Sequence, residues 1–188
     1  MPLFNLLIKI CWLLFMVVWV IFSFNAKKNV QNNNQRQSSF IRLAIIIVAI
    51  AFLKIKIFRD VAYSNIFSSN HFLQGCGVSI CVLGIAFAIW ARIHIGKNWG
   101  MPMSRKKEPE LVTTGPYRFV RHPIYTGLIT AMIGSSLAEG FMWMIWLTFM
   151  GGYFFYSAKK EERSMMLQFP DKYREYMRRT EMLIPFIL

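Results

Sequence analysis

The sequence predicts an all-α membrane protein of five transmembrane helices, the last two forming a helical hairpin, followed by a cytosolic C-terminal helical tail. Three observations carry this expectation. Of 188 residues 55% are hydrophobic and the mean hydropathy is positive, against roughly 45 to 50% apolar residues in soluble domains. The apolar residues gather into runs of spanning or near-spanning length. The basic residues, which give a net charge of +13, flank those runs instead of covering one face of a helix. Such flanking charge is the mark of membrane topology, and it excludes a nucleic-acid partner.

The first run, Leu3 to Phe24, is interrupted only by Asn5, Lys9 and Ser23 and lacks a small-residue cleavage site, so it is expected to be a retained span. A polar loop rich in Asn and Gln follows. The second span centres on Leu43 to Leu53, with Arg42, Lys54 and Lys56 close enough to its ends to snorkel. The third, about Phe72 to Ile95, is rich in Gly, Ala, Ser and Cys. Small residues let helices approach closely where lipid gives little drive for association, so this helix is expected to be central. Ile124 to Leu137 and Phe141 to Tyr156 are joined by only "AEG" and read as the hairpin, each arm short for about 30 Å of hydrocarbon at about 1.5 Å per residue.

Five spans allow a test of sidedness. Putting residues 25–42, 91–122 and 159–181 on one side gathers 18 of the 22 basic residues there, leaving Lys9, Lys54, Lys56 and Arg59 opposite. By the positive-inside rule the N-terminus is outside, while the segment before the hairpin and the tail face the cytosol. The polar parts are too short to fold alone, so the chain reads as one integral membrane domain, with residues 1–90 as scaffold and 91–188 as the region that carries chemistry.

Cys11, Cys76 and Cys81 lack metal-ligand spacing and read as small core residues, and no metal is expected. "GCGVSI" (75–80) has two glycines of a dinucleotide fingerprint but no preceding strand, and Ile80 stands in the third glycine's place. It reads as helix packing. His71, His94, Tyr173 and Tyr176 read as interfacial residues.

The informative stretch is "LVTTGPYRFVRHPIYTG", residues 111–127. Gly115-Pro116 marks a turn, and Pro116 and Pro123 suit the first position of a helix. His122 precedes a proline and is pushed out of the helical region. The expected result is a short helix from Pro116 to about Val120, a break at Arg121-His122, and a new helix from Pro123 whose positive end, beside Arg121 and His122, suits an anion. The second polar cluster starts at Ser157, continues the last hairpin helix out of the bilayer, breaks at Pro170 and resumes toward "MLIPFIL". Adjacent Glu161 and Glu162 point about 100° apart on a helix, so only one need face a given pocket.

Together, "LVTTGPYRFVRHPIYTG", "EERSMMLQFPDKYREYMRR", a final "IPF" and the upstream "ARIHIGKNWG" resemble the C-terminal half of the isoprenylcysteine carboxyl methyltransferase and phospholipid methyltransferase superfamily, in its bacterial form. The resemblance covers about Ala91 to Pro185. It implies a membrane methyltransferase that uses S-adenosylmethionine and has no Rossmann sheet. It also implies donor contacts from Glu110, Leu111 and Val112, from Tyr117, from His122, Pro123 and Tyr125, and from Glu161. Eukaryotic prenylcysteine enzymes carry a substrate-binding arginine where this chain has Ser157.

The residues themselves suit such a donor, which presents a carboxylate, an ammonium, a sulfonium and an adenine. Arg121, His122 and the helix start offer the cationic corner, Glu161 the carboxylate, and Tyr117 and Tyr125 the aromatic walls. Arg121, His122 and Glu161 are accordingly the expected catalytic group. The expected function is methylation of a lipophilic small molecule or lipid reached from the bilayer, at the bacterial inner membrane with the site facing the cytosol. A prenylcysteine-like carboxylate leads over a phospholipid amine as acceptor. A reading from another class is a non-catalytic accessory or transport protein, but the span interiors hold almost none of the ionisable residues that transport uses.

Overall fold

The computed structural model describes residues 2–23, 70–96 and 110–184. Five α-helices carry this part of the chain: α1 (Pro2–Ser23), α2 (His71–Ile95), α3 (Pro123–Glu139), α4 (Phe141–Gln168) and α5 (Pro170–Arg179), with a 3-10 turn, η1, at Gly115–Arg118. The expected second span lies outside the described residues, as does the end of "ARIHIGKNWG".

Two of these helices, α1 and α2, are long and apolar enough to cross a membrane. They run parallel: Phe4 at the start of α1 stacks near His71 at the start of α2, and the Phe22 carbonyl at the far end of α1 meets Arg92 near the far end of α2. Along α1, Leu6, Leu13, Leu14 and Ile21 are all more than half exposed. Such an apolar outer face is stable against lipid and not against water. The inner face of α1 is tied down by Trp12, which stacks on Trp143 and donates from Nε1 to Ser135 Oγ at 3.0 Å.

The centre of the bundle is the antiparallel pair α2 and α3, joined along a seam of small residues. Gly77, Cys81, Gly84 and Ala88 on α2 face Gly127, Ala131, Gly134 and Ala138 on α3. A Cβ added at Gly84 would sit 2.5 Å from the Ala131 amide nitrogen, and one at Gly134 would sit 2.3 Å from that of Cys81. The backbones themselves are in contact, as the composition of the third span predicts. Each set repeats at seven residues, the period of a left-handed helix pair.

The hairpin forms as expected. Its one-residue link, Gly140, has φ 104°, a conformation that strains any residue with a Cβ. The α4 helix runs well past the apolar segment and stops at Phe169, before Pro170 opens α5. The outcome is that the ends of α1 and α2, the start of α3 and the polar end of α4 gather at one end of the bundle, together with Arg92, Arg118 and Arg121.

Candidate active site at the polar end of the bundle

The local sequence explains how the bent strip is made. Gly115 has φ 60°, and the His94 imidazole packs where its Cβ would be. His94 also pairs with Thr114 Oγ1 at 2.9 Å and stacks on Tyr117, so it anchors the strip to the end of α2 instead of standing at the interface. After η1 the chain leaves the helical region, with His122 at φ −123° and ψ 61°, and α3 begins at the wholly buried Pro123.

Residues 180–184 then strap this break. Val120 and Glu181 form an isolated parallel bridge. The Arg121 amide donates to the Glu181 carbonyl at 2.8 Å, that of His122 to Met182 at 3.1 Å, and the Thr126 hydroxyl to Leu183 at 2.6 Å. Met182 and Leu183 are buried against Ala158, with Tyr125, Ile129 and Phe155 around them. The break between η1 and α3 thus has its Arg121 and His122 amides satisfied, as burial requires.

Inside the strap lies a group of four ionisable side chains and a tyrosine. His122 sits between two carboxylates, Nδ1 3.6 Å from Glu161 and Nε2 3.6 Å from Glu162. Arg121 Nε donates to Glu162 at 2.5 Å, and its Nη1 donates to the Thr180 and Met177 carbonyls. Tyr125 donates its hydroxyl to Glu161 at 2.5 Å while its ring lies between His122 and Phe154, nearly parallel to both. The side chains of Arg121, His122 and Glu162 are each only 9% exposed, and that of Glu161 is 25% exposed. Burial pushes the His122 pKa down, but the two carboxylates outweigh it and hold the imidazole above its ordinary value of 6.5. Burial likewise pushes Glu162 up, and His122 and Arg121 overcome this to hold it below 4.5.

Both adjacent glutamates face this group, where the helical angle between them suggests that only one need do so. The reason is the ligand between them: an imidazole presents nitrogens at opposite edges, so one ring bridges two side chains that diverge. Glu161 is the more open of the pair, and Glu162 is the one spent on Arg121.

Of the other residues singled out by sequence, Tyr117 is buried beside the group. Its hydroxyl is pushed well above its ordinary pKa by burial, then by Tyr176 and Glu161, against a smaller opposite effect from Arg92. Its carbonyl accepts from the Tyr176 hydroxyl at 2.5 Å. Tyr173 and Tyr176 are buried, 3% and 7% exposed, and so are packing residues instead of interfacial anchors: α5 turns them inward and its charges outward. Glu110 and Leu111, which precede the strip together with Val112, help line an open cavity of about 650 Å³ with Arg118, Lys172, Tyr176 and Thr180. His122, Tyr125 and Glu161 do not line it. Among the described residues, then, Arg121, His122, Tyr125 and Glu161 come together, Tyr117 and Pro123 stand alongside, and the 110–112 segment borders a neighbouring space.

Sequence reasoning overlooked Arg92. It is fully buried, donates to the Phe22 and Gly96 carbonyls, and lies over the Trp19 and Phe22 rings. It clamps the ends of α1 and α2 beneath the strip. Its place one turn from the end of an apolar run suggests snorkelling, and only the neighbouring α1 reveals that it points inward.

The fold and its sequence have recognisable relatives. The phospholipid methyltransferase family profile matches residues 72–172, from the start of α2 into α5. Methanethiol S-methyltransferase 1 of Bradyrhizobium diazoefficiens is 38% identical over 79 residues, 42% of this chain and 27% of that protein. Protein-S-isoprenylcysteine O-methyltransferase of Tribolium castaneum is 29% identical over 127 residues, 62% of this chain and 43% of that one. The chain therefore spans less than half the length of either relative. A solved structure of the eukaryotic intramembrane Ras methyltransferase, isoprenylcysteine carboxyl methyltransferase, superposes with a TM-score of 0.55 at 23% identity, covering 84% of this chain and 55% of that one. The helical hairpin, the bent strip and the carboxylate pair all fall within the matched region, and the chain belongs to the phospholipid methyltransferase family, in the superfamily that also contains the isoprenylcysteine carboxyl methyltransferases.

Proposed function

We propose that the chain is an integral membrane methyltransferase that takes its methyl group from S-adenosylmethionine and passes it to a lipophilic acceptor reached from the bilayer. The observation that carries this reading is the seating of His122 between Glu161 and Glu162 against the Tyr125 ring, at the end of a bundle whose outer face suits lipid. The donor's groups fit what is there. Glu161 is the more open carboxylate of the pair and offers oxygen to an ammonium, and the imidazole of His122 offers an N–H to a carboxylate. Tyr125 and Tyr117 offer ring faces to adenine or to a sulfonium, which a π face stabilises by about 0.5 to 2 kcal/mol. Glu110, Leu111 and Val112 border the same end and complete the proposed donor contacts, with Pro123 setting the start of α3. Arg121 is a positioning residue, because its donors are committed to Glu162 and to the strap.

When bound, S-adenosylmethionine supplies an electrophilic methyl group open to in-line displacement. The protein's part is alignment and exclusion of water, and Met182 and Leu183 close the site from the tail side. Both ring nitrogens of His122 are turned toward the carboxylates of Glu161 and Glu162, so neither is directed at an acceptor as a base. That favours an acceptor that arrives as an anion, a carboxylate or thiolate, over an amine that must lose a proton. A prenylcysteine-like carboxylate leads on this ground. Such a reaction joins a cation and an anion into neutral products, which a dry site favours. The bias of basic residues toward the sequence segments that flank the site, 91–122 and 159–181, supports a cytosol-facing site in a bacterial inner membrane.

The test is transfer of radiolabelled methyl from S-adenosylmethionine by the purified protein into prenylcysteine analogues, lipophilic thiols and phospholipid amines. Label in the carboxylate or thiol series is expected. Label confined to amines would overturn the acceptor assignment, and no label in any extract would overturn the activity.

A further inference from the structure

The last turn of α5 makes more bonds than packing requires. α5 has ten residues and buries two side chains, Tyr173 and Tyr176. A helix that short is marginal on its own, and for packing alone phenylalanine would serve in both places. Tyr176, however, donates its hydroxyl to the Tyr117 carbonyl at 2.5 Å. Its own carbonyl accepts from the Thr180 hydroxyl at 2.7 Å, and the Thr180 carbonyl accepts from Arg121 Nη1. From Arg121 the line continues through Glu162, His122 and Glu161 to the Tyr125 hydroxyl. One run of polar contacts thus joins Tyr117 to Tyr125, the two ring walls of the proposed donor site, and two residues of α5 carry its first half. Both are buried, so a broken link there leaves a polar group without water to replace its partner. Tyr117 depends on such support, because it sits in a four-residue turn entered through Gly115 at φ 60°. Tyr176 and Thr180 also line the cavity that Glu110 and Leu111 border, so this turn of α5 stands between the 110–112 segment and the His122 group.

We propose that Tyr176 and Thr180 are positioning residues of the methyl-donor site, an inference that rests on the donor reading given above. They act through Tyr117 and Arg121, and they hold the Tyr117 ring and the His122 group at one fixed separation across the donor. Because the contacts lie in series, a break at either residue releases the same constraint. The donor then meets a site whose two halves are no longer set against each other, and part of its binding free energy goes into restoring their spacing.

The experiment is titration calorimetry of S-adenosylmethionine into the full chain in detergent, with the thermal midpoint of each variant taken beside it. Tyr176→Phe and Thr180→Val should each weaken the donor about fivefold, the share of one net hydrogen bond. The double variant should also lose about fivefold, since either change breaks the same run, whereas two independent packing defects would multiply to about twenty-five-fold. Thr180→Ser keeps the hydroxyl and should bind as the parent does. So should Tyr173→Phe, which removes a hydroxyl from the same helix but outside the run. The two Thr180 variants carry the test on their own if Tyr176→Phe does not fold. Unchanged affinity in Tyr176→Phe and Thr180→Val, an equal loss in Tyr173→Phe, no rescue by Thr180→Ser, or a multiplied loss in the double variant would overturn the positioning role and leave the donor site standing. No saturable binding by the parent chain would overturn the donor site and this role together.

Discussion

The seam between α2 and α3 gives glycine substitutions of opposite sign at different places in one molecule. Gly84→Ala puts a methyl 2.5 Å from the Ala131 amide nitrogen and 2.6 Å from the Gly127 carbonyl, and Gly134→Ala puts one 2.3 Å from the Cys81 amide nitrogen. Ordinary contact begins near 3.4 Å, and the obstacles are backbone atoms, so the two helices must part by about 1 Å. Overpacking of this kind costs about 1 to 3 kcal/mol. Alanine returns about 1 kcal/mol of helix propensity, and the net loss reaches about 2 kcal/mol where the seam cannot yield. Gly75 and Gly151 meet nothing within 4 Å, so alanine there keeps the gain and avoids the clash. The assay is thermal unfolding in one fixed detergent, followed by tryptophan fluorescence. At about 2 to 4 °C per kcal/mol for a chain of this size, Gly84→Ala and Gly134→Ala should each lower the midpoint, by up to about 8 °C. Gly75→Ala and Gly151→Ala should raise it by up to about 4 °C. Seam variants as stable as the open-site variants would refute the backbone contact on which the bundle's geometry rests.

The site and its strap yield further tests. The folded pKa of His122 is raised, so its contribution to stability is complete below its ordinary value of 6.5 and lost as pH rises through the folded pKa. That of Glu162 is lowered, so its contribution is present above 4.5 and lost as pH falls through its folded value. The midpoint should therefore be highest between about pH 4.5 and 6.5 and fall on the alkaline side, and a midpoint that climbs steadily from pH 6 to 9 would contradict the pairing. Thr126→Val removes the donor to the Leu183 carbonyl and should cost about 1 to 2 kcal/mol. Hydrogen exchange at the Arg121 and His122 amides should quicken while the α2–α3 seam is unchanged; unaltered exchange at both would show that the strap is ornamental. Arg121→Met leaves Glu162 and the Thr180 carbonyl without their donor in a nearly closed site, and a loss of about 3 kcal/mol is expected in the same unfolding assay. A loss under about 1 kcal/mol would mean that the cluster is more hydrated than its burial implies.

Much of this arrangement is legible in the sequence because it is written in backbone chemistry. Pro116, Pro123, Gly115 and Pro170 fix where η1, α3 and α5 begin, and Gly140 fixes the hairpin turn. The glycines and alanines of the third span foretell a close helix pair, although the seven-residue match to α3 needs both helices in view. What the sequence hides is pairing across distance. Nothing local to Glu162 tells that Arg121, 41 positions earlier, will hold it, or that one imidazole will bridge two diverging carboxylates. The role of residues 180–184 is hidden for the same reason: an isolated bridge of a few residues has no periodicity to read. Tyr173 and Tyr176 misled because a tyrosine near a membrane surface and a tyrosine turned inward from a surface helix have the same composition around them. The amphipathic spacing of α5, with Tyr173 and Tyr176 three apart and charges between, was the available signal.

Titration calorimetry of S-adenosylmethionine into the detergent-purified protein, with His122→Ala and Glu161→Ala beside it, tests most directly whether the strapped cluster holds the methyl donor. Saturable binding is expected, weakened at least tenfold by each substitution, about 1.4 kcal/mol. No heat at millimolar donor, or the same affinity in both variants as in the parent, would contradict it.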